Sequence, residues 1–142
     1  MRFQASAAVL CLAPLFVALA VPSSQSNAAA EEPRYETSSN VDIIVVISDV
    51  KNVPLGSALN GTHLLVRPES SKPNAETTDV YLAPDEYLKD FGCTFAKGNK
   101  LQVKGSKIRY NGSQLILARE VRLDSTTVYL RDDHGVPYWK KS

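Results

Sequence analysis

The chain has 142 residues, 16 basic and 15 acidic side chains and two cysteines. This excludes a large multidomain enzyme, a scaffold stapled by many disulfides and a uniformly basic nucleic-acid binder. The charge is uneven, with 11 acidic and 5 basic side chains over 31–96 against 4 acidic and 10 basic over 97–142. Either one face is positive or the folded chain interleaves the two halves.

The start reads as a secretory signal peptide over residues 1–30. Arg2 supplies the charge, Ala5 to Val21 is free of charge, and Ala28-Ala29-Ala30 offers a small-residue cleavage site. Cleavage after Ala20 is the alternative. The uncharged run is shorter than the ~20 residues of a spanning helix and contains Pro14, so no membrane span is expected. Export to the periplasm or the extracellular space follows. Cys11 leaves with the leader, and Cys93 alone cannot form an internal disulfide, so an apolar core must carry stability. Cys93 itself reads as a small buried hydrophobe.

Residues 31–40, polar and holding Pro33, read as a flexible arm ahead of a single domain over 41–142. Val41 to Val50 is a β-branched run, a strand covered on both faces. Lys51 to Gly61 holds Pro54, Gly56 and Asn60-Gly61 and is a loop. His63 to Pro68 is a second strand with His63, Leu65 and Arg67 on one side and Leu64 and Val66 on the other. Thr77 to Leu82 is a third, with Thr78, Val80 and Leu82 on one face. Pro84-Asp85-Glu86 then starts a helix of about two turns that stops at Gly92.

Strand character returns at Lys100, with Leu101 and Val103 inward, a bulge or bend at Gly105-Ser106, and Ile108 and Tyr110 resuming the alternation. Asn111-Gly112 is a hairpin turn. Gln114 to Leu123 returns, Ser125 to Arg131 adds a further strand, Asp132 to Gly135 turns, and Val136 to Trp139 closes the chain. The predicted class is all-β with one short helix: a five-stranded Greek-key barrel, the OB-fold.

The segments Lys97 to Lys107, Leu115 to Val121 and Leu130 to Trp139 carry a resemblance. Their order is G-x-x-x-x-V-x-G-S, then A-R-E-V, then L-R-D-x-x-G-x-P-x-W. They resemble the periplasmic OB-fold family, small exported bacterial proteins of which some are labelled nucleic-acid-binding. The resemblance implies the fold and export, and it implies no reaction.

Candidate ligand contacts are Tyr81, Lys104, Lys107, Arg109, Arg119, Tyr129, Arg131 and Tyr138. Arg119 falls among Leu115, Leu117, Val121 and Leu123, where a charge needs a partner such as Asp132 or an anionic ligand. Lys100, Lys104, Lys107 and Arg109 form a basic strand edge that either tracks phosphates or keeps the edge from pairing. Tyr81 and Tyr129 are the strand-borne aromatics available for stacking, and Tyr138 follows Pro137 near the end. Arg131-Asp132-Asp133-His134 lacks the spacing of a calcium loop, so no metal or other cofactor is expected. No phosphate loop, zinc spacing or nucleophile elbow is present, so no enzyme is expected. The expected function is an exported, non-enzymatic binding module for an envelope protein segment or anionic polymer. Its ligand would lie on strands two and three and the loops Lys51–Gly61 and Asn111–Gln114. Single-stranded nucleic acid is the alternative.

Overall fold

The computed structural model describes residues 33–140. The expected leader over 1–30, including Cys11, lies outside the described residues. Among the described residues no helix is long and apolar enough to cross a membrane.

Strands β1 (Asn40–Val53), β2 (Gly61–Pro68) and β3 (Thr78–Ala83) precede helix α1 (Asp85–Lys89). Strands β4 (Lys100–Tyr110), β5 (Ser113–Leu123) and β6 (Thr126–Tyr129) follow it. The β-branched run Ile43 to Ile47 lies at the centre of β1, whose length lets it serve two partners. Asn40–Val46 pairs with β4, and Val45–Val53 pairs with β2 across a bulge between Ile47 and Asp49. β2 continues antiparallel to β3, and β4 antiparallel to β5. A parallel seam joins Asp79, Val80 and Tyr81 of β3 to Leu115, Ile116 and Leu117 of β5. The seam closes the circuit β1-β2-β3-β5-β4 into a five-stranded barrel with the helix between β3 and β4. This is the OB-fold arrangement. β6 continues the sheet from β5.

Interior packing follows the predicted alternation, and β1, expected to be covered on both faces, alternates too: Val45 and Ile47 are buried while Ile44 is 48% exposed. Val45, Ile47, Leu64, Val66, Val80, Leu82, Leu101 and Val103 fill the barrel with Ile116, Ala118, Val121, Val128 and Leu130. Asn111 and Gly112 take φ of 51° and 82° in the β4–β5 hairpin, the left-handed pair such a tight turn needs. The predicted bend at Gly105 is a bulge in which Lys104 faces Glu120 but Gly105 faces Ala118, leaving Arg119 as the extra residue. Glycine is required there, because a Cβ on residue 105 would lie 2.2 Å from the Leu117 carbonyl oxygen.

The structure departs from the prediction in four places. The helix is shorter, five residues, and the chain turns on to Gly92, whose φ is 61°. Its first turn is held by the Asp85 carboxylate, which accepts hydrogen bonds from Asn52 and Thr62. The closing strand is reduced to one bridge, Arg131 to Pro137, and a 3-10 turn over Tyr138–Lys140. Residues 33–39 of the expected flexible arm lie against the barrel. There Ser106 Oγ donates to the Glu36 carbonyl at 2.8 Å and accepts from its N–H at 3.1 Å, and Tyr35 packs under Gly135.

The fourth departure is a second apolar layer. Leu59, Tyr81, Ile108, Leu115 and Leu117 bury against one another on the outer face of β3, β4 and β5, joined by Tyr35, Ala58, Tyr110 and Trp139. It explains why Leu115, Ile116, Leu117 and Ala118 are all buried: even positions point into the barrel and odd ones into the outer layer. The bulge at Arg119 then resets the alternation, so that Val121 points inward. The two charge halves interleave, since acidic-half β1 pairs with basic-half β4 and β3 with β5, and Lys100 meets Glu69 at 2.7 Å.

Candidate binding groove

A groove runs between the β1–β2 loop and the β4–β5 hairpin, over the outer face of β2 and β3. One compartment, a hollow of ≈ 480 Å³, is lined by Val53, Ala58, Leu59, Tyr110 and Leu115 together with His63 and Asp79. The next, ≈ 540 Å³, is lined by Lys51, Leu65, Glu76, Asp79 and Arg109. Asp79, Ser113 and Gln114 belong to both, which makes the two hollows one surface. The register produces this floor. His63 sits opposite Tyr81 on β3 and Lys51 on β1, and Asp79 sits opposite Leu65 on β2 and Leu115 on β5.

His63 is the polar centre of the floor and is only 4% exposed. Its Nδ1 lies 2.8 Å from Asp79 Oδ1 and its Nε2 lies 2.8 Å from the Leu59 carbonyl oxygen. A carbonyl and a carboxylate both accept, so each ring nitrogen faces an acceptor oxygen. Lys51 Nζ stands 3.9 Å from the other Asp79 oxygen. Next to this, the Tyr81 hydroxyl donates to the Asn60 carbonyl at 2.8 Å. Two buried side chains therefore hold the end of the β1–β2 loop, while Leu55 near its tip is 88% exposed.

Of the eight predicted contact residues, Arg109 lines the groove; it is exposed, and its Nη2 donates to the Gly112 carbonyl at 3.2 Å. Lys104 pairs with Glu120 at 3.7 Å on the neighbouring strand, and Lys107 is exposed on β4. Tyr129 and Tyr138 are exposed, and the Tyr129 carbonyl accepts a hydrogen bond from the Tyr87 hydroxyl. Tyr81, predicted to offer an accessible ring, is 3% exposed because the outer apolar layer covers it.

Arg131 is buried with Tyr81. Its guanidinium carbon lies 5.5 Å from the Tyr81 ring centre and 4.9 Å from that of Trp139, and its Nη1 donates to the carbonyls of Ala118 and Leu82. This cluster fastens the end of the chain to the barrel wall. Arg119 leaves the apolar face through its bulge and pairs with Asp133 at 3.1 Å in place of the expected Asp132. Asp132 instead accepts the N–H groups of His134 and Val136 at 2.9 Å and shapes the turn. Burial raises the Tyr35 phenol above its ordinary value, an effect partly offset by the charge of Arg119 and a hydrogen bond from it. No group of three or more metal-ligating side chains occurs among the described residues.

The groove residues His63, Asp79, Tyr110 and Gln114 were not among the predicted contacts. A usable signal was present: His63 alternates with Leu64 and Val66, so it must leave the core and face the loop that precedes it.

The model of the MamS/MamX magnetosome protein family matches residues 46–128, more than half of the chain. The chain belongs to the MamS/MamX magnetosome protein family. No curated protein and no solved structure matches it. The MamS/MamX match supplies the family, and nothing in it carries the periplasmic OB-fold label suggested by resemblance. It ends at Val128, before the L-R-D-x-x-G-x-P-x-W segment on which part of that resemblance rested. It spans β2 to β5 and most of β1, and so includes the groove residues from Lys51 to Leu115.

Proposed function

We propose that this protein is an exported, non-enzymatic binding module associated with the magnetosome, and that it seats its partner in the groove between the β1–β2 loop and the β4–β5 hairpin. The observation that carries this reading is the His63–Asp79 floor. A polar pair of one buried and one half-buried side chain that joins a loop to a sheet beneath an open hollow preorganises that hollow, and preorganisation is what a binding surface requires. The position supports it too, since OB-folds commonly bind on this face and between these loops. The family name supplies the magnetosome association, and the layout of residues 1–30 supplies the expectation of export.

The test is affinity capture from an envelope extract, run in parallel with the full chain and with Ser113→Trp. Ser113 is exposed and borders both compartments, so an indole there fills the groove without entering the core. Partners held by the wild-type chain and lost with Ser113→Trp are expected; identical capture by both would remove the reading.

Single-stranded nucleic acid remains the second reading, on the strength of Lys107 and Arg109 on β4. It predicts salt-sensitive binding of an oligonucleotide that is lost in Lys104→Ala with Lys107→Ala. The burial of Tyr81 and the presence of Glu76 and Asp79 in the groove weigh against it.

A further inference from the structure

The two compartments differ in chemistry, and the difference names a class of partner. Resting on the groove as the binding site, the geometry points to an extended protein segment that presents one apolar side chain and one isolated carboxylate. The apolar side chain enters the hollow between Val53, Ala58, Leu59 and Leu115. The carboxylate meets Arg109 and Lys51 across the shared edge formed by Ser113 and Gln114.

The charge arithmetic of the second compartment carries this inference. Asp79 is held by His63 at 2.8 Å through one oxygen, so it keeps a partner when Lys51, 3.9 Å from its other oxygen, turns away. Arg109 spends one N–H on the Gly112 carbonyl, which leaves the rest of its fork for an incoming acceptor. Lys51 is 45% exposed at its side chain and stands at a distance from Asp79 that leaves its ammonium free to turn toward a second anion. One carboxylate therefore gains two cationic neighbours.

A dense polyanion fares worse, because its further charges meet Glu76 and the Asp79 carboxylate on the same surface. The apolar hollow beside the cations argues in the same direction. A polyphosphate or an acidic polysaccharide has nothing to bury there, whereas a leucine-sized side chain gains from leaving water. An extended chain also places neighbouring side chains at different points along a groove, which a bipartite site needs.

The experiment is fluorescence anisotropy of the full chain with short labelled peptides. Each pairs one leucine with one glutamate, separated by no, one or two glycines. Partner peptides replace glutamate with lysine or leucine with serine; poly-glutamate and an oligo-thymidine serve as competitors. At least one leucine–glutamate spacing is expected to bind, and each replacement is expected to weaken it about tenfold, the order of one lost charged or apolar contact. Arg109→Glu should invert the preference toward the lysine peptide.

Equal binding of the lysine and glutamate peptides, an unchanged preference in Arg109→Glu, or stronger binding of poly-glutamate or oligo-thymidine would each overturn the inference. So would the absence of binding by every spacing. The groove reading fails separately, when Ser113→Trp leaves captured partners and peptide binding unaltered.

Discussion

His63 and Arg131 are polar residues that the fold encloses, and each predicts a distinct failure. His63→Gln cannot satisfy both the Asp79 carboxylate and the Leu59 carbonyl along the same two directions. It should cost about 1–3 kcal/mol, the range for orphaning a buried polar group. Amide hydrogen exchange over residues 57–60 should quicken while the β5–β6 hairpin stays protected; equal protection at both places would show that His63 does not hold the loop. Arg131→Met removes the donor to the Ala118 carbonyl and the cation over Tyr81 and Trp139. A loss of roughly 2 kcal/mol or more is expected from these contacts together. Because the chain has a single tryptophan, its emission reports on this spot directly. The spectrum of Arg131→Met should shift to the red in native buffer, and an unshifted spectrum would mean that the indole does not depend on the arginine.

Among the elements, the β4–β5 pair is the most constrained and α1 the least self-sufficient. Gly105→Ala drives a methyl group into the Leu117 carbonyl and should cost about 1–3 kcal/mol in urea unfolding, as overpacking generally does. A five-residue helix cannot hold itself in water, so Asp85→Ala, which unties it from Asn52 and Thr62, should melt it locally. Most strands were legible because each carries an unambiguous local cue. Ile43 to Ile47 is β-branched throughout, Asn111-Gly112 accepts a left-handed turn, and Leu101 and Val103 alternate with polar residues. The outer apolar layer was not legible. Leu115 to Ala118 looks the same whether one face or both are covered, and the covering residues Tyr35, Leu59 and Trp139 come from distant parts of the chain. The groove was readable as a region, from its two loops, but not as residues. Which charges end up beside the hollow depends on the seam between β3 and β5, and only Arg109 was both predicted and found there.

For the whole molecule, part of the pH dependence of stability follows from half-buried acids whose pKa values the fold raises. Burial raises the Cys93 thiol and the Tyr87 and Tyr35 phenols above their ordinary values. The unfolded chain therefore releases these protons first. Their contribution is fully present below the ordinary thiol range and is lost as pH rises through the elevated values in the folded state. The urea midpoint should fall on the alkaline side from the thiol range upward, and Cys93→Ala should remove the earliest part of the decline. A midpoint that is flat to strongly alkaline pH would show that these groups ionise equally well in the folded chain.

The parallel junction of Asp79–Tyr81 with Leu115–Leu117 has a temporal consequence. It unites segments far apart along the polypeptide, and contacts of that kind are late and slow to form, because the intervening chain must first give up its freedom. Lys51, His63 and Asp79 meet through the local β1–β2 and β2–β3 pairings, and Arg109 joins them across that junction. A polypeptide that stops before Leu115 therefore has no assembled groove, and under the proposed function binding waits on that junction.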